Sequence, residues 1–167
     1  MTALRQSLIA LCGGLLLLPV AAAIEPAGDL AQLGADAADR GVPILLAVTR
    51  SECGYCETLK REILEPLRLA GADPSRVLIR ELRIDSPTSM IGFEGVPATA
   101  DAVARGYDAN FTPTVLIVGP DGEEVAERMV GINTPEMYGW YLDRAIDAAQ
   151  AVLQRSDAGH GKAASRP

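Results

Sequence analysis

Two cysteines, Cys53 and Cys56, stand two residues apart in a chain of 167 residues that holds three cysteines in all. A thiol pair at this spacing can exchange disulfides: one thiolate attacks a substrate disulfide, and the second thiol displaces the product from the resulting mixed disulfide. The flanking sequence suits that chemistry. Residues 42–48 form an apolar run interrupted only by Pro43, as in a strand buried on both faces. Beyond the pair, Leu59, Ile63, Leu64 and Leu67 recur at helical spacing opposite Lys60, Arg61 and Arg68, with Pro66 expected to kink or end the helix. Cys53 therefore falls at the start of a helix, where unpaired N–H groups and the helix dipole favour a thiolate. The expected roles are Cys53 as nucleophile and Cys56, one turn on, as the buried resolving thiol.

Other chemistry is open to two thiols at this spacing: half of a zinc site, a copper site, or a small structural ring. A closed zinc site needs further Cys or His ligands, and the only histidine is His160, near the C-terminus. Thiolates suit Cu(I), so a copper-carrying dithiol is the competing reading. No cofactor or resident metal is required by the leading one.

The compartment is suggested by residues 1–23, which read as a cleavable signal peptide: Arg5, an apolar run over 8–20, and Ala21-Ala22-Ala23 as a small-residue processing site. The rivals are a retained anchor and a lipoprotein, and Leu11 before Cys12 argues against the second. Export would remove Cys12 and leave Cys53 and Cys56 as the only thiols of a periplasmic protein. The net charge is −7, with no basic cluster of the kind that binds nucleic acid. The remainder divides into one domain over 24–153 and a disordered tail over 154–167.

Along that domain the pattern predicts a helix over 27–40 stopped by Gly41, the strand over 42–48, the Cys53 helix, and a strand over 76–85. The apolar alternation of this last strand slips at Glu81, which suggests a bulge. A short helix over 99–107, a hairpin of strands 114–118 and 123–130 about the turn 119–122, and a helix over 134–153 complete the order. Helices alternating with parallel strands and followed by an antiparallel pair give a three-layer α/β/α sandwich around a mixed sheet of about four strands. The first two strands, being parallel, point to one rim. The loop 86–97 should overhang that rim and bring Met90, Ile91 and Phe93 to the cysteines to contact a partner or substrate, the alternative being that it folds these apolar residues into the domain's own core. Tyr138, Trp140 and Tyr141 read as packing residues.

Residues 42–149 resemble the thioredoxin superfamily, with Cys53-Gly54-Tyr55-Cys56 as the active-site motif and Thr112-Pro113 as the cis-proline dipeptide. The turn 119–122 and Gly131 extend the likeness. Gly131-Ile132 and residues 138–142 are similar to small periplasmic thioredoxin-like proteins associated with sulfur oxidation. Gly54-Tyr55 resembles the periplasmic disulfide isomerase, without its dimerisation domain. The resemblance implies a cis Pro113, with Thr112 facing the disulfide and pairing with an extended substrate. It also implies exported protein disulfides as substrates, a membrane thiol donor as the resetting partner, and oxidase or isomerase action as the alternative direction. Two features depart from the family. Ser51-Glu52 stands where an aromatic is usual, and Ala47 occupies the strand position of the buried acid, so the Cys56 proton must leave by water or another carboxylate.

Overall fold

The computed structural model describes residues 24–164. Helix α1 (Leu30–Arg40) is capped at its start by Asp29, whose carboxylate accepts from the Gln32 N–H. It ends at Gly41, whose φ of 65° lets its N–H return to the Ala37 and Ala38 carbonyls. Strand β1 (Ile44–Thr49) follows, every residue buried, as the apolar run requires of a central strand. It pairs in parallel with β2 (Leu78–Arg83) on one side and antiparallel with β5 (Thr114–Val118) on the other. A two-residue β6 (Met129–Val130) closes the order β2-β1-β5-β6, the expected mixed sheet of four strands.

One face of the sheet carries Leu46, Val48, Leu78, Leu82, Leu116 and Val118 against α1 and α4 (Ala100–Gly106). The other carries Leu45, Ala47, Ile79, Val115 and Ile117 against the Cys53 helix and the C-terminal helix α5 (Pro135–Ala164). These are the two outer layers of the expected sandwich.

The Cys53 helix is continuous but not uniform. It runs as α2 (Gly54–Thr58), widens into a π-helical turn (Leu59–Leu64), and resumes as α3 (Glu65–Leu69). Pro66 explains the widening, since its ring would collide with the carbonyl one turn back in a regular helix. The Glu65 N–H reaches the Lys60 carbonyl instead, so the chain absorbs the proline without ending.

Several expectations are corrected. The β1–β2 register is unbroken from Ile44↔Leu78 to Thr49↔Arg83, so no bulge exists at Glu81. The apparent slip arises because Val77, Leu78 and Ile79 are all buried, the early part of β2 being covered on both faces. Residues 86–97 do not overhang the cysteines. They form a hairpin of β3 (Ser89–Ile91) and β4 (Pro97–Thr99), with Met90 in the α1-side core. The Phe93 ring lies against Gly122, in the turn at the end of β5 remote from Pro113. The partner of β5 is shorter than the alternation over 123–130 suggests, with one further bridge from Val118 to Glu124. Finally, α5 continues past Leu153, where Gln154, Arg155 and Ser156 offer no breaker. The signal-peptide reading of residues 1–23 lies outside the described residues.

An element the sequence pattern missed runs ahead of α1. The Glu81 N–H donates to the Glu25 carbonyl at 2.7 Å, and the Ala27 N–H donates to the Glu81 carbonyl at 2.8 Å. The Ile91 N–H donates to the Gly28 carbonyl at 3.0 Å. Residues 25–28 thus cover the outer edge of β2, which would otherwise present unpaired backbone groups.

Candidate active site

Strand β1 delivers the chain to the rim of the sheet at Thr49, and a short turn follows. The Ser51 N–H donates to an Asp85 carboxylate oxygen at 2.8 Å, which ties this turn to the segment leaving β2. Desolvation is the largest single influence on the Asp85 pKa and raises it; hydrogen bonds from Ser51 and from its own backbone, with the Arg83 charge, together outweigh it and hold Asp85 below the ordinary aspartate value. Glu52 takes the left-handed conformation, φ 52°, that redirects the backbone into the helix. It occupies the place of the usual aromatic and is exposed.

Cys53 is the N-cap of α2. Its backbone is extended, its carbonyl accepts from the N–H groups of Cys56 and Glu57, and its sulfur lies 3.2 Å from the Cys56 nitrogen. Cys53 and Cys56 are joined as a disulfide with their Cα atoms 5.2 Å apart. Cys53 is partly exposed and Cys56 is buried completely, the asymmetry required of an attacking and a resolving thiol. Gly54 and Tyr55 form the first turn between them, and the Tyr55 ring is 68% exposed.

Opposite the disulfide stands the loop before β5. The Thr112–Pro113 peptide bond is cis, as the family resemblance implies. Thr112 approaches the Cys53 sulfur with both its hydroxyl oxygen, at 3.8 Å, and its carbonyl oxygen, at 4.0 Å. Two further hydrogen bonds fix the loop. The Thr114 hydroxyl donates to the Phe111 carbonyl at 2.8 Å, and the Gly131 N–H donates to the Pro113 carbonyl at 2.8 Å. Phe111, absent from the sequence-level candidates, is 75% exposed beside Thr112. Its signal was present as a large apolar residue next to the Thr-Pro dipeptide.

Behind the helix lies a charge cluster. Lys60, one of the residues opposite the apolar stripe of this helix, contacts Glu57 at 2.8 Å and Glu81 at 3.1 Å. Burial works to lower the Lys60 pKa, but hydrogen bonds to the two carboxylates outweigh it and hold the ammonium above the ordinary lysine value. The Thr49 hydroxyl, in a fully buried residue, donates to the same Glu81 oxygen at 2.7 Å. The aromatic residues of α5 divide. Tyr138 is in the core, while Trp140 and Tyr141 are half exposed and form a T-shaped pair.

The arrangement can carry out one reaction type directly. In the reduced state, the Cys56 N–H that now faces the Cys53 sulfur, with the helix dipole, would stabilise a thiolate there, and the buried neighbour would close the ring again.

A family model described as "Thioredoxin-like domain" matches residues 32–146. Among solved structures, Trxlp from Edwardsiella tarda is 24% identical, covers 71% of this chain and 97% of its own, and superposes with a TM-score of 0.51. Thioredoxin from Fasciola hepatica is 21% identical over 74% of this chain and 97% of its own, with a TM-score of 0.49. No match was found among curated proteins. With the family model spanning most of the domain and a Cys53–Cys56 pair at its redox position, the chain belongs to the thioredoxin-like family and is a thiol–disulfide oxidoreductase.

Proposed function

We propose that this oxidoreductase acts outside the cytoplasm and reduces disulfides of exported proteins. The observation that carries the reading is the asymmetric pair: a partly exposed Cys53 at a helix N-terminus, a buried Cys56, and the edge of Thr112 opposite the Cys53 sulfur. The leader-like residues 1–23 support export, and the likeness of Gly131-Ile132 to small periplasmic relatives supports the reductive direction.

The Cys53 thiolate attacks one sulfur of a substrate disulfide. A Cys53–substrate bond forms, and the electron pair of the broken bond leaves on the other substrate sulfur, which takes up a proton. Cys56 then loses its proton and attacks the Cys53 sulfur. The internal disulfide closes and the second substrate thiolate departs. The substrate has gained two electrons, and the dithiol has lost them. A membrane thiol donor returns the pair to its reduced form. The backbone beside Thr112 provides an edge against which an extended substrate can pair.

Insulin reduction tests the activity, with Cys53→Ser and Cys56→Ser as controls. Turnover by the wild type and loss in both variants is the expected result; no turnover by the wild type would overturn the reductase reading. The potential of the Cys53–Cys56 couple tests the direction. A value near that of thioredoxin, about −270 mV, fits a reductase, and one near −120 mV would make the protein an oxidant. A fusion of residues 1–23 to a reporter active only after export tests the compartment.

A further inference from the structure

We propose that Glu81 is the proton acceptor for the buried thiol Cys56 when it resolves the mixed disulfide. The inference rests on the exchange reaction proposed above. A thiol must become a thiolate before it can attack a disulfide, and Cys56 has no exposed surface from which bulk water could take its proton.

On β1, Leu45, Ala47 and Thr49 share the sheet face that packs under the Cys53 helix. Ala47 pairs with Glu81 in the β1–β2 register. Glu81 has the same strand parity as Val77 and Ile79, which lie in the core of that face. The Ala47 methyl leaves space and no acid there, and the carboxylate comes from the neighbouring strand instead. Glu81 does not extend straight outward. Its oxygen meets the Thr49 hydroxyl, two residues nearer the rim on β1, and so leans toward the Cys53 turn.

The helix meets it from above. Lys60 follows Cys56 by one turn and places its ammonium 3.1 Å from the Glu81 oxygen. The carboxylate is therefore held between Thr49, at the end of the strand that leads to Cys53, and a residue one turn beyond Cys56 on the same helix. Both backbone groups of Glu81 are pinned by Glu25 and Ala27 on the covering segment. The charged groups around it are Lys60 and Glu57 on the helix, with Glu25 and Arg80 paired at the β2 edge.

This carboxylate is a poor candidate for a stability device alone. Its side chain is 14% exposed, and burying it with Lys60 carries a desolvation cost that apolar residues would avoid. In the resolving step the Cys56 proton passes to Glu81. The Cys56 sulfur bonds to Cys53 as the Cys53–substrate bond breaks, and its electron pair leaves on the substrate sulfur. Glu81 then releases the proton through its exposed edge to solvent.

A dipyridyl disulfide separates the two steps on the intact protein, because each releases one coloured thiopyridone: the first on attack by Cys53, the second on resolution by Cys56. For Glu81→Gln the second phase should slow by at least about tenfold, within the range of general-base effects. The first should stay within about twofold. The second phase should also lose the acid-side limb of its pH profile, and Glu81→Asp should recover most of the rate. An unchanged second phase, or equal slowing of both phases, would overturn the assignment.

Should Glu81→Gln not fold, the wild type serves. The carbon resonance of the Glu81 carboxyl should move as Cys56 titrates in the reduced protein, and a resonance indifferent to Cys56 would overturn the inference. Release of no thiopyridone by the wild type would instead remove the exchange reading beneath it.

Discussion

The Cys56 N–H faces the Cys53 sulfur at 3.2 Å, so the reactive side chain is also the cap of its own helix. Serine can fill that capping role and alanine cannot. Cys53→Ser and Cys53→Ala should both abolish exchange and both remove the disulfide. They should nevertheless differ in stability, the serine variant being firmer by about 1 kcal/mol. Urea unfolding of the two measures the difference, and equal midpoints would show that this position gains nothing from a side-chain cap.

Asp85 holds the turn that leads into Cys53, and its depressed pKa fixes the sign of a pH effect. A carboxylate with a lowered folded pKa contributes stability that is complete above its unfolded value of about 3.9 and is lost as pH falls through the folded value. The Ser51 amide resonance should therefore titrate with a midpoint below about 3.9. Asp85→Asn should abolish that titration. A midpoint at the ordinary value would mean that the hydrogen bond does not persist in solution.

Tyr138 sits in the core with its hydroxyl lacking a hydrogen-bond partner among the described residues, and burial pushes its pKa well up. A buried polar group without a partner costs about 1–3 kcal/mol. Tyr138→Phe should consequently stabilise the protein by about 1 kcal/mol and raise Tm by roughly 3–5 °C. A fall in Tm would reveal a partner for the hydroxyl.

Gly34 lies within α1, where alanine would ordinarily gain up to about 1 kcal/mol. A Cβ there would collide with the Pro120 carbonyl oxygen in the β5–β6 turn. Backbone cannot yield as a flexible side chain can, and overpacking of this kind costs about 1–3 kcal/mol. Gly34→Ala should lower stability by about 1–2 kcal/mol despite the better helix former. Denaturant midpoints check the sign.

How much of this was legible in the sequence depended on distance along the chain. The Cys53–Cys56 pair announced itself because its strand, cap and helix are contiguous, and Gly41 marked the end of α1 by a local requirement for left-handed backbone. Thr112, fifty-nine residues from Cys53, was recognisable only through family likeness. Glu81 was misread because Val77, Leu78 and Ile79 are buried on both faces of β2, which masks the alternation that reports a residue's side. The pairing of residues 25–28 with β2 and β3 left no local pattern, since backbone hydrogen bonds with a distant edge place few demands on side chains. Phe93 carried a signal that fits either a binding loop or a core, and only the close approach of its ring to Gly122 decides for the core.

Phe111, next to Thr112, and Tyr55, between the two cysteines, are large residues left exposed, at 75% and 68%. The protein's own core gains little from either, and the Thr114 hydrogen bond to the Phe111 carbonyl holds the first in place. If the substrate is an extended protein segment, covering one such ring should contribute about 1–2 kcal/mol to its capture. A small aryl disulfide is too short to reach beyond Cys53. Phe111→Ala should therefore reduce kcat/KM for insulin by roughly 5–30-fold while leaving both thiopyridone phases and the unfolding midpoint unchanged. A conservative Phe111→Leu should retain most of the insulin activity, because apolar area rather than aromaticity is at issue. Equal losses on the protein and the small disulfide would instead place Phe111 in support of the Thr112–Pro113 loop, with no part in holding substrate.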